Sequence, residues 1–257
     1  MSRRPHIAII NESDVVDDTA VKPAVEALQV QVNEHFAPAW GITARLSFVP
    51  KGGEPEPGAW WLAILNNSDQ AGALGYHDLT QEGLPLGKVF AATDVQYGYE
   101  WTVTLSHELL EMLADPDINL TAQIGRQEFV AYEDCDPVEA DQYGYTIEGI
   151  LLSDFVTPAW FMPGYPGPWD HEGHCPDALT LLPGGYVGVW QPGSGWTQVT
   201  ARTDRANLHT TLRAPDPTLE VELPISARPN VGSRRERRRT SRRSWRRSNL
   251  RPEHAGP

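Results

Sequence analysis

A histidine and two glutamates in the stretch "TVTLSHELLEMLADPD", Thr102 to Asp117, carry the spacing H-E-x-x-E at His107, Glu108 and Glu111. On a helix, residues i and i+4 differ by about 40° in azimuth and about 6 Å in height, so His107 and Glu111 project side by side. That spacing lets an imidazole nitrogen and a carboxylate oxygen both lie about 2.0–2.2 Å from one zinc ion. Glu108 stands where the H-E-x-x-H signature of metallopeptidases keeps its general base against metal-bound water. The apolar "TVTL" before the histidine turns this helix inward, where ionised carboxylates are costly and a cation relieves Glu108 and Glu111 together. The competing reading is a helix with solvated acidic residues, because a five-residue motif recurs by chance. A glutamate in place of the second histidine adds negative charge to the ion. Bound water is then less acidified and harder divalent metals compete with zinc.

The elements that must hold this helix are legible in part. "HIAIIN" reads as a short buried strand, "ARLSFVP" as an alternating one, "WWLAILN" as a more fully buried one, and "KVFAATD" as the strand before the helix. Thr19 to Phe36 places Val21, Val25, Leu28, Val32 and Phe36 on one helical stripe, capped by Asp18 or Thr19. Pro23 falls near its first turn, where it is tolerated. Leu109, Leu110, Met112 and Leu113 are the core-facing residues of the His107 helix, and Asp115-Pro116 ends it. Beyond Pro116, "EFVAYED", "YTIEGILLSDFV" and "GGYVGVWQPGSGWTQV" read as short strands among Pro/Gly-rich loops.

The segments "SHELLEMLADP" and "YEDCDPVE" together resemble a group of bacterial and phage zincin-like metallopeptidases with H-E-x-x-E-x-x-x-D-P followed by E-x-x-D. The likeness runs from about residue 7 to about residue 200. The order strand, long helix, two strands, strand, motif helix is also that of zincins, and the passage into the motif helix resembles metzincins. The resemblance implies a single α/β (α+β) zincin-like domain over residues 1–224, with a mixed sheet packed on a long N-terminal helix and an active-site helix, and a β- and coil-rich C-terminal part. It implies a zinc-dependent metallopeptidase in which Glu108 is the catalytic base, "KVFAATD" pairs with an extended peptide, and the partner is a peptide or protein substrate. The alternative is a non-catalytic phage or host-interaction protein with a structural metal. For the third ligand the family patterns leave alternatives: Glu133, twenty-two residues after Glu111 as in gluzincins, stands first. Asp136 is next, or orients His107 from outside the ligand set, and Asp117 is third, ten residues after His107 as in metzincins but without the turn glycine. Asp115 is a further alternative ligand. "EDCDPVEAD" also reads as an acidic solvent loop.

Charge divides the chain. Residues 227–257 hold eleven Arg against Glu236 and Glu253, a net +9, so the body carries −22 of the formal −13 total. The tail, 225–257, is expected to be disordered and to offer at most weak contact to nucleic acid or another polyanion. No run approaches about 18 consecutive apolar residues, and the start lacks a cleavage-like site. The expectation is a cytoplasmic chain with no membrane contact, unless phage release carries it out. Cys135 and Cys175 exclude a disulfide framework and a four-cysteine zinc site; they can pair or remain buried thiols. "DHEGHC" offers His171 and His174 beside Cys175, and with Cys135 a small structural metal site, or else a surface loop. The aromatic run "PAWFMPGYPGPW" reads as core cover before recognition surface. No G-x-S-x-G or phosphate loop is present, which leaves serine-hydrolase and nucleotidase readings without support.

Overall fold

The computed structural model describes residues 4–70 and 73–208 and a short strand at 219–221; the arginine-rich tail lies outside the described residues. β1 (His6–Asn11) is almost wholly buried and lies parallel between β2 (Arg45–Val49) and β3 (Trp60–Leu65). β4 (Gly75–Leu79) and β5 (Pro85–Phe90) form a hairpin that completes the order β2-β1-β3-β5-β4, with β4 the one antiparallel strand, at the edge. Parallel strands covered on both faces need continuous apolar runs, which "IAII" and "LAIL" supply.

The helix after β1 begins one residue earlier than the sequence suggests. Asp17 is its cap, accepting from the backbone of Thr19 and Ala20, and α1 runs from Asp18 to Val30. It continues through a π-helical turn, Gln31–Phe36, into α2 (Ala37–Trp40). All five stripe residues, Val21 to Phe36, are buried. The wider turn is where Gln31 leaves the stripe pattern. Its amide donates to Ser153 O at 3.0 Å and Tyr145 Oη at 3.1 Å, while Oε1 accepts from Ser106 Oγ at 2.8 Å. A buried amide so satisfied ties α1 to the motif helix and to the chain after it.

α3 (Ala91–Tyr97) follows β5 directly, so "AATD" is helix rather than strand, and Gly98 turns the chain into α4 (Trp101–Ala114). α4 lies against β5 and β4 and is buried from Thr102 to Ala114. Leu105, Leu109 and Leu110 belong to the core of the first sheet, with Ile7, Leu28 and Leu62. Asp115 ends the helix as expected, its two carboxylate oxygens accepting from Asn119 N and Leu120 N, both at 2.9 Å.

A second, antiparallel sheet follows: β6 (Thr121–Gly125), β7 (Glu128–Ala131), then β11 (Tyr186–Gln191), β12 (Gly195–Ala201) and β14 (Leu219–Val221), in the order β14-β12-β11-β7-β6. Between its halves, β8 (Tyr145–Ile147) pairs with β9 (Ile150–Leu152), and β10 (Thr180–Leu181) pairs with β13 (Ala206–Asn207), which follows β12. This sheet has its own core around Trp160, Val187 and Val199, and Trp40 packs against both cores. Trp160 and Phe161 of the aromatic run are core, whereas Met162 and Tyr165 are exposed. No helix among the described residues is long and apolar enough to cross a membrane.

Candidate metal centre

α4 brings His107, Glu108 and Glu111 to its inner polar face, all at most 6% exposed. His107 Nε2 lies 3.0 Å from Glu111 Oε1, the adjacency that the i, i+4 spacing requires. The same nitrogen lies 3.2 Å from Asp136 Oδ1. Ligand atoms that share one ion at about 2.1 Å are separated by roughly 3.0–3.4 Å, so both distances suit a common cation.

The acidic segment after β7 is not a solvent loop. Glu133, Asp134 and Asp136 are at most 4% exposed, and Asp136 opens a single 3₁₀ turn, Asp136–Val138, with Pro137 in its first positions. Two backbone bonds from the C-terminal half hold it, Val156 N to Asp134 O at 2.7 Å and Leu182 N to Pro137 O at 3.0 Å. Glu133 comes to α4 through a residue that the sequence reading passed over, His77 on β4. His77 Nδ1 lies 3.3 Å from Glu111 Oε2 and 3.5 Å from Glu108 Oε2, and its Nε2 lies 3.7 Å from Glu133 Oε2. Of the four sets of potential ligands among the described residues, three lie here: His77, Glu111 and Glu133; His107, Glu108 and Glu111; and His107, Asp136 and Glu139; the fourth is Asp154, Asp170 and His174. Asp136 therefore faces His107 and Glu133 faces His77, with Glu111 between. Asp115 is engaged in ending α4, and Asp117 is exposed.

The signal for His77 was a hairpin. "GYHDL" and "PLGKVF" flank a turn closed by Thr80 N to Leu84 O at 2.7 Å, and Gly83 sits in it. Gly75 lets this strand lie against α4: a Cβ there would come within 2.8 Å of Glu108 Cγ and Thr104 Cγ2. The hairpin also corrects the substrate strand. β5, which holds "KVF", is enclosed between β3 and β4, so it has no free edge for a peptide; that edge belongs to β4.

Electrostatics follow from the crowding. Burial works to lower the His107 pKa, but Glu111 and Asp136 outweigh it and hold the imidazolium well above its usual range. Burial, then the charge of Glu111, pushes the Asp134 carboxyl well up. Beside the first turn of α4, Asp94 of α3 is buried with Thr104 Oγ1 donating to it at 3.0 Å; burial chiefly raises it, to about 7. Its ordinary value is 3.8, so the folded chain binds the extra proton between about pH 4 and 7, and stability falls as pH rises through that window. Asp94→Asn, which keeps an acceptor for Thr104, should remove a fall of up to about 4 kcal/mol. Urea midpoints of parent and variant should diverge from pH 4 to 7; parallel profiles would refute this.

The other sequence-level cluster is rearranged. Cys135 and Cys175 are free and buried, and Cys135 takes no part in it. His174 Nδ1 instead lies 3.4 Å from Asp154 Oδ2 and 3.7 Å from Asp170 Oδ2, while His171 stacks on Phe155 and His35. The two aspartates accept from the backbone of Phe155, Glu172, His174 and Cys175, which fastens this loop. No protein-family model, no curated protein and no solved structure matches the chain.

Proposed function

We propose that this chain is a divalent-metal-dependent hydrolase of the metallopeptidase type, with zinc or a harder divalent ion at the α4 face. The observation that carries the reading is the His107 Nε2–Glu111 Oε1 approach of 3.0 Å beside a buried acidic segment. The element order β1, α1, β2, β3, hairpin, α3, α4 supports it, following the order expected for zincins with β4 and the short α3 added. His107 and Glu111, completed by Glu133 or Asp136, would hold the ion. Their mixed nitrogen and oxygen donors fit zinc, manganese or magnesium better than a soft metal.

A cation bound there supplies Lewis acidity toward a scissile carbonyl and acidifies water. Glu108 takes a proton from the attacking water and returns it to the leaving amine. β4, the edge strand beside α4 among the described residues, presents backbone groups to which an extended peptide can add as a further strand. Glu108→Gln should then keep the parent's metal content and lose turnover by about 10²-fold or more. The readouts are elemental mass spectrometry and cleavage of a peptide library followed by mass spectrometry.

A second reading, a structural metal without catalysis, is favoured by one observation. His77, His107, Glu108, Glu111, Glu133, Asp134 and Asp136 are all at most 6% exposed, and closed ligand shells are typical of structural ions. It predicts metal retention in parent and Glu108→Gln alike, with no cleavage by either.

A further inference from the structure

Glu111 is fully buried, and its two oxygens face two different imidazoles, Oε1 toward His107 of α4 and Oε2 toward His77 of β4. Each imidazole has a carboxylate of its own from the acidic segment, Asp136 Oδ1 at 3.2 Å from His107 Nε2 and Glu133 Oε2 at 3.7 Å from His77 Nε2; His77 turns Nδ1 to Glu111, so an ion there takes one of its two nitrogens, and one atom each of His77, Glu111 and Glu133 lie within 4.8 Å of one another. We propose that the centre holds two divalent cations bridged by the Glu111 carboxylate, one against His107 and Asp136, the other against His77 and Glu133. This rests on the metal-centre reading above.

Geometry and charge agree. A carboxylate that offers one oxygen to each of two ions suits the separation of roughly 3.5–4 Å found in two-metal hydrolytic sites. Glu111 groups with His77 and Glu133 on one side and with His107 and Glu108 on the other, and His107 also groups with Asp136; the two imidazoles come from different elements, β4 and α4, and Glu133 and Asp136 from one acidic segment. Glu139 extends the His107 set, and Glu108 lies within reach of both imidazoles. The buried Glu108, Glu111, Glu133 and Asp136 would carry −4 if all were ionised. One divalent ion with neutral imidazoles leaves −2, and two leave none. Because buried charge is expensive unless compensated, the second ion removes what the first leaves. Each ion would see one nitrogen among oxygens, a donor set open to manganese, magnesium or zinc.

The test uses the full chain, stripped with chelator and titrated with Mn²⁺. Equivalents bound are counted by elemental mass spectrometry after gel filtration, and the spin state is read by electron paramagnetic resonance. The expected result is saturation near two equivalents with an exchange-coupled manganese signal. His77→Asn, checked for native circular dichroism, should bind one equivalent and show an uncoupled signal. Saturation of the parent at one equivalent, uncoupled, would overturn the second ion and leave the single-ion centre standing. No retained metal would overturn both. Two equivalents in His77→Asn would overturn the assignment of His77.

Discussion

Chelating divalent metal from the folded chain should lower its unfolding free energy by about 4 kcal/mol, the linkage expected where free metal stands near a thousand times its dissociation constant. The source is the crowding around α4. Glu108, Glu111, Glu133 and Asp136 share one interior with His77 and His107, and each charge taken from water there costs several kcal/mol unless compensated. Glu111→Gln should invert the ranking of parent and variant. With chelator present, the substitution removes one like charge from the cluster and leaves stability equal or higher; with Zn²⁺ or Mn²⁺ present, it forfeits the metal's contribution. The pH dependence has a defined sign. His107 is held protonated by Glu111 and Asp136 in the metal-free chain and must lose that proton to bind, so metal affinity should rise with pH. Urea unfolding of both proteins, with and without metal, checks the crossing. Equal midpoints with and without chelator would remove the argument.

Gly185→Ala should be nearly as damaging, although it lies on a turn before β11, far along the chain from α4. A Cβ at Gly185 would stand 2.2 Å from Pro137 O, 2.6 Å from Pro137 C and 3.1 Å from Asp136 O. These are backbone atoms, which cannot swing aside as a side chain can, so the 3₁₀ turn that carries Asp136 must shift. Overpacking of this kind costs about 1–3 kcal/mol, and displaced ligands or their supports cost roughly 10–100-fold in metal affinity. Gly188→Ala is the control, because its Cβ would meet Ala131 Cβ at 3.4 Å and Trp196 at 3.7 Å, ordinary contacts in the same sheet. Metal titration of both variants separates local disruption of the donor segment from general loss of stability. Parent-like affinity in Gly185→Ala would show that the C-terminal sheet does not position the donors.

The difference between what sequence and structure reveal follows from the range of the forces involved. The stripe from Val21 to Phe36, the strands around "IAII" and "LAIL", and the end of α4 at Asp115 depend on local periodicity and backbone chemistry, and they are readable residue by residue. The i, i+4 pair His107 and Glu111 belongs to the same class. His77 does not: its strand is short, half-buried and on an edge, and it reaches α4 only because β4 folds back on β5. The direction of Glu133 and Asp136 is likewise set by bonds from Val156 and Leu182, residues remote in sequence. Likeness to the gluzincin pattern put Glu133 first among several candidate partners of Glu111, but nothing local could assign Asp136 to one histidine and Glu133 to the other. Asp17 replaced Asp18 or Thr19 as the cap because the geometry of its side chain, rather than the start of the stripe, decides which backbone groups it meets.

Cys135 sits between Asp134 and Asp136, fully buried, in the core of the first sheet, and Cys175 belongs to the core of the second. Burial, reinforced by Asp134 and Glu111, raises the Cys135 thiol well above its usual range, which keeps it protonated and slow to react. Each half of the molecule thus contains its own chemical clock. A thiol reagent can capture Cys135 only when the donor segment swings open, and Cys175 only when the second core does, so the two labelling rates time the opening of each half separately.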